Sequence, residues 1–140
     1  MNILNRDALL TKQKLEIERI DLGDDEFVFV RQMTGRERDT FEQSLIEEYK
    51  DEKGVVAFKT TTKDFRAKLA VVTLCDEDGN SLLKPTDFTV LSQNMSAARL
   101  ELIVDVAQQL NKVTEVAKEV IVKNLDAVPD GNSSLDFAGN

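Results

Sequence analysis

Residues 27–49 read FVFVRQMTGRERDTFEQSLIEEY, and the change of period inside this stretch sets the fold class. From Phe27 to Gln32 the pattern is that of a strand. Phe27, Phe29 and Arg31 point to one side, and Val28, Val30 and Gln32 to the other. At Thr34 the period changes. Thr34 and Glu37 have the spacing of a capping box: the Thr hydroxyl accepts the N–H of Glu37, and the Glu carboxylate accepts the N–H of Thr34. Phe41, Leu45 and Tyr49 follow at four-residue spacing with Ile46 beside them, which predicts a helix with one apolar face reaching Tyr49. A strand thus runs directly into a helix. Arg31, Arg36, Glu37, Arg38 and Asp39 crowd the junction, and a solvated first turn accounts for each of them taken singly.

Working outward towards the N-terminus, Leu15 and Ile17 alternate with Glu16 and Glu18, and Gly23-Asp24-Asp25 is a turn signal. Residues 15–20 and 26–32 therefore predict an antiparallel β-hairpin. A lone hairpin is marginally stable, so its apolar face calls for helices or for strands of another subunit. Before it, Ile3, Leu4, Leu9 and Leu10 suit a short helix or arm.

In the other direction, residues 50–63 break the helical pattern. Gly54 and Thr60 to Thr62 oppose helix, while Val55, Val56 and Phe58 suit a short strand, so this is an excursion between helices. Residues 64–75 return to helical spacing. The run AVVTLC at residues 70–75 is apolar nearly all round and marks the most buried helix. Thr86, after Pro85, is placed to cap a short helix carrying Phe88 and Leu91. Ser96 is placed to cap a longer one in which Leu100, Ile103, Val104, Ala107 and Leu110 make a stripe that Asn111 ends. Thr114 opens a last helix with Val116, Ala117, Val120 and Ile121 inward, and after Asp126 the composition becomes that of a flexible tail. The expected architecture is α+β: an N-terminal antiparallel β-hairpin packed on a bundle of four or five helices. It forms one domain over residues 1–125 with a tail at 126–140.

Composition narrows the function. The 140 residues carry a net charge of −8, which argues against nucleic acid and anionic membrane as main partners. There is no His, which excludes His-based triads, general bases and metal sites. Cys75 is the single Cys, so neither an internal disulfide nor a zinc cluster is available. No Lys flanks it to lower its pKa, and it reads as a small buried hydrophobe. The N-terminus has no long apolar core of a secretory signal, which makes the cytoplasm the expected compartment. Asp76, Asp78 and Asn80 match the first ligand positions of an EF-hand loop, with Asp87 at the twelfth. Ser81 stands where the loop needs Gly, Pro85 interrupts it, and the last ligand is not Glu. The expectation is no catalysis, no metal and no cofactor.

The order of these pieces carries a resemblance. It runs from a strand ending in VRQMTGRERDTFE, through a core helix FRAKLAVVTLCDEDGN and the short Phe88/Leu91 helix, to a helix ending at Leu110-Asn111 and a Pro/Gly/Ser tail. Over roughly residues 12 to 135 this resembles the tail assembly chaperones of long-tailed (siphophage-type) phages and prophages. The resemblance implies a non-enzymatic protein of the host cytoplasm, absent from the mature virion, that coats the helix-rich tape measure protein. It also implies self-association, and contact with the major tail tube protein through a frameshifted longer form.

A chaperone of this kind needs an apolar groove with a charged rim. Phe41, Leu45, Leu100 and Val104 are candidates for the lining, between the capped helix and the last two helices. Core packing is the favoured account of any one of them taken singly. Arg36 and Arg38 are candidates for the rim, because cations at a helix start are poorly placed for its dipole and so imply a use. The competing readings are a structural or head–tail connector component retained in the particle, and a calcium protein or enzyme built on Asp76, Asp78 and Asp87.

Overall fold

The computed structural model describes residues 1–113, which fold as α+β with five α-helices and two antiparallel sheets. The expected helix from Thr114, the domain end at 125 and the tail after Asp126 lie outside the described residues.

The first hairpin forms as read, with small changes at its ends. β1 (Ile17–Gly23) pairs antiparallel with β2 (Glu26–Arg31). Asp24 and Asp25 both have positive φ, at 54° and 63°, the backbone of a type I′ turn whose twist matches the strands. The face holding Ile20, Val28 and Val30 turns inward, and Val30 is fully buried. On the other face Phe27 and Phe29 meet edge to face, and the Arg19 guanidinium sits 3.8 Å over the Phe27 ring.

Thr34 starts α2 (Gly35–Gln43) with both halves of the capping box in place. The helix stops earlier than the apolar spacing predicts. Ser44 caps it, its amide bonding to the carbonyls of Thr40 and Phe41, and Ile46 begins β3 (Ile46–Lys50). The strand pairs with β4 (Val56–Thr60) in a second hairpin, so the excursion predicted at 50–63 begins inside the expected helix. The turn decides this. The Asp51 carboxylate accepts the N–H groups of Lys53 and Val55, and Gly54 takes a φ of 80° that other residues resist.

α3 (Phe65–Thr73) is the central helix, with Phe65, Ala67, Leu69, Ala70 and Val71 buried and Val72 half-buried. It ends at Thr73 rather than Cys75. Leu74 and Cys75 turn extended and become β5 (Leu74–Cys75), which gives β2 a second neighbour and closes the sheet as β1-β2-β5. The loop after Cys75 folds back over this sheet. Gly79 takes a φ of 89° that other residues resist, and a Cβ there would stand 3.2 Å from Ile17 Cδ1, which would have to give by a few tenths of an ångström.

Thr86 does not cap the next helix. A 3-10 turn (Pro85–Asp87) leads into α4 (Phe88–Asn94), and the Asp87 carboxylate accepts the Lys84 N–H at 2.8 Å. Ser96 does cap α5 (Ala97–Asn111), accepting the Arg99 N–H. α5 buries Leu100, Ile103, Val104 and Ala107 against α3 and the inner face of the sheet. Ahead of the first hairpin, α1 (Arg6–Leu10) buries none of its residues.

Candidate functional site

The strand–helix junction is built as a bonded cluster. Arg31 is only 4% exposed, and its guanidinium makes two 2.8 Å bonds to the Glu37 carboxylate. Glu37 also accepts the Thr34 N–H, so one carboxylate closes the capping box and neutralises a buried cation. The bond to Arg31 holds the Glu37 carboxyl below its usual range, and the same bond raises Arg31. Arg31 Nε is buried without a hydrogen-bond partner among the described residues.

The end of α5 enters the same cluster. The Asn111 side chain accepts the Met33 N–H at 2.7 Å and donates to the Ala107 carbonyl. Arg38 donates to the Asn111 carbonyl at 2.7 Å and pairs with Glu42 one turn along its own helix.

These bonds correct one reading of the rim. Arg38 is half-buried, and it is tolerated at the start of α2 because it serves the electron-rich C-terminal end of α5. Arg36 is exposed and makes no ion pair or hydrogen bond among the described residues. The expected lining is also corrected. Leu45, Leu100 and Val104 are buried core residues, packed together rather than spread along an open groove. Phe41 is buried too, against Phe65, but it reaches the floor of a cleft.

That cleft, of about 310 Å³, lies between α2, α3 and the 3-10 turn. Phe41, Val71, Val72, Leu83 and Phe88 supply its apolar surface. Arg36 and Lys68 stand at its rim, the Lys68 ammonium held by the Ser44 carbonyl at 2.8 Å. A second, wider groove of about 620 Å³ runs beside α4 and the start of α5. Leu83, Val90, Leu91 and Met95 line it, with Asp87, Asn94 and Arg99 at its edges. Val90 is 59% exposed and points into this groove.

Cys75 is buried, and the acidic loop after it is organised by its own hydrogen bonds. Burial pushes the Cys75 thiol up, against the opposing pull of Arg31. The Asp76 carboxylate accepts the N–H groups of Asn80 and Asp78, which hold it below its usual range and leave one oxygen committed to the turn. No group of three His, Cys, Asp or Glu among the described residues is placed to hold a metal ion. No described helix is long and apolar enough to cross a membrane.

Compared with known proteins, the chain matches no family model, no curated protein and no solved structure.

Proposed function

We propose that the protein is a phage tail assembly chaperone that binds amphipathic helices of the tape measure protein and keeps that client soluble during tail morphogenesis. The observation that carries the reading is the groove beside α4. It is open, its exposed surface is mostly apolar, and its lining includes the Asp87 carboxylate and the Arg99 guanidinium, which pairs with Glu26 at 2.7 Å. An amphipathic helix places its apolar stripe in such a groove and its charged flanks on such edges. The net charge of −8 keeps a protein with exposed apolar surface from aggregating by itself. The order of elements along the chain supports the same family. The reading is of a binding protein without catalysis or cofactor, working in the host cytoplasm.

Calorimetric titration with synthetic amphipathic segments of the tape measure protein tests it. The wild-type chain binds one or more segments, and Val90→Glu weakens that binding roughly tenfold or more, as expected where a carboxylate enters an apolar seat. No binding by any segment, or equal binding by Val90→Glu, contradicts the reading.

A further inference from the structure

The cleft between α2 and α3 carries the opposite charge to the chain as a whole. Arg36 and Lys68 are the cations of its lining and Glu37 its one carboxylate, and Glu37 is already neutralised by the two bonds from Arg31. Neither Arg36 nor Lys68 pairs with a carboxylate among the described residues. The Lys68 ammonium is held by the Ser44 carbonyl and lies 5.4 Å from the centre of the Phe88 ring, so its place at the mouth is set within the fold. A chain of net charge −8 therefore leaves two uncompensated cations over an apolar floor, where they focus the field on an incoming anion.

The cleft does not stop at Lys68. Ser44, Lys68 and Phe88 also line a polar trough of about 480 Å³ that continues past the start of β3 to α4. Lys63 stands in this trough, exposed and without a carboxylate partner among the described residues. Of the two acids there, the Asp64 carboxylate accepts the Ser92 hydroxyl and Glu47 is exposed. Together the two depressions make one path, with an apolar seat at one end and Lys68 in its middle. A small free acid would fill the seat and leave the trough empty, whereas a short extended chain runs along both.

We infer that this path takes a short, extended, acidic segment of a partner protein, which seats one aromatic side chain against Val72 and Phe88 and sets its carboxylates against Arg36 and Lys68. The cleft is half the size of the groove beside α4 and has room for one ring, not for the apolar stripe of a helix, so the two sites take different ligands. The ring meets Phe88, and the carboxylates meet cations that no described residue neutralises. The footprint is small and the attraction largely coulombic, so the association is transient and weakens as salt rises. Leu83 is the one residue that lines both cleft and groove, and the inference does not rest on the function proposed above.

Fluorescence anisotropy of a labelled peptide, titrated with the full-length protein, tests it. The peptide is acetylated and amidated and carries one Phe between two pairs of Glu. Wild type binds it saturably. Exchanging the Phe for Ala, or the Glu residues for Gln, weakens binding roughly tenfold or more, and affinity for the Glu peptide falls as salt is raised. Arg36→Glu, which circular dichroism shows folded, binds the Glu peptide roughly fivefold or more weakly, and binds a peptide with Lys in place of Glu better than wild type does. Arg6→Glu makes the same change of charge on the exposed α1 and leaves binding unchanged. No saturable binding up to roughly 1 mM protein overturns the inference. So does an Ala peptide that binds as well as the Phe peptide, or a loss in Arg6→Glu equal to that in Arg36→Glu. Any of these failures leaves the Val90→Glu titration with tape measure segments untouched.

Discussion

Arg38 Nη1 donates a 2.7 Å hydrogen bond to the carbonyl oxygen of Asn111, tying the start of α2 to the last residue of α5 across 73 positions of sequence. Asn111 answers through its side chain, which accepts the Met33 amide just ahead of the same helix. The junction between strand and helix is therefore fixed from the far end of the domain. Two neighbouring arginines consequently have different fates. Arg38→Glu removes a charge-assisted bond and puts a carboxylate beside the negative end of α5, so it lowers stability by about 1.5–3 kcal/mol. Arg36→Glu stays within about 0.5 kcal/mol of wild type. Urea unfolding of the two single variants checks the contrast, and equal midpoints would show that the Arg38 bond contributes nothing.

The Arg31–Glu37 pair makes a second prediction. Glu37→Ala strands a guanidinium that is almost wholly buried, and lowers stability by roughly 2–4 kcal/mol. Arg31→Met together with Glu37→Ala loses less than Glu37→Ala alone, because no unpaired charge then remains in the interior. Chemical unfolding of the single and double variants measures the coupling.

The same pair sets an acid dependence. The folded-state pKa of Glu37 lies below its ordinary value of 4.5, so the stability it contributes is fully present above that value and is lost as pH falls through the lower one. Asp76 is shifted in the same direction and adds to the slope. Thermal melts between neutral pH and pH 3 should show wild type losing stability below about pH 4.5, and Glu37→Gln losing less over the same range.

Leu69 is fully buried at the centre of α3. Leu69→Ala costs about 2–5 kcal/mol, whereas Val72→Ala, at a half-buried position on the cleft wall, costs less. A loss below about 1 kcal/mol for Leu69→Ala would mean that α3 is not the core of the domain.

Local chemistry was legible in the sequence wherever one signal had no rival. The capping box at Thr34, the Ser96 cap, the α5 stripe and the first hairpin all formed where spacing and turn residues agreed. The second hairpin was half hidden. Leu45 and Tyr49 satisfied helical spacing, but Ser44 ends the helix and the Asp51 to Gly54 turn pairs Ile46–Lys50 with Val56–Thr60. The Asp-x-x-Gly turn followed by Val55 and Val56 was the signal that outweighed the four-residue period. The loss of Leu74 and Cys75 from α3 had no local sign, because it depends on the open edge of β2.

The candidate site divides in the same way. Apolar periodicity located Leu45, Leu100 and Val104, but could not separate core from groove, and they are core. The surfaces left open are lined by residues off those stripes, such as Val90 and Leu83. The role of Asn111 was readable only as a helix end, since two of the groups its side chain binds, the Met33 N–H and the Arg31 carbonyl, lie about 80 positions away.

The chaperone reading and the retained-component reading separate in the finished particle. If the chain is a chaperone, mass spectrometry of purified particles finds the tape measure and tube proteins without it. Stoichiometric amounts in the particle would favour a head–tail connector or other structural component.

The measurement closest to the central claim is co-expression with the tape measure protein, followed by centrifugation of the lysate. The account predicts that the tape measure protein is insoluble alone, and that with the wild-type chain it stays in the supernatant and co-purifies with it. With Val90→Glu, which alters the α4 groove and no buried contact, it returns to the pellet. A tape measure protein that stays insoluble beside the wild-type chain, or is equally soluble with and without it, would contradict the account.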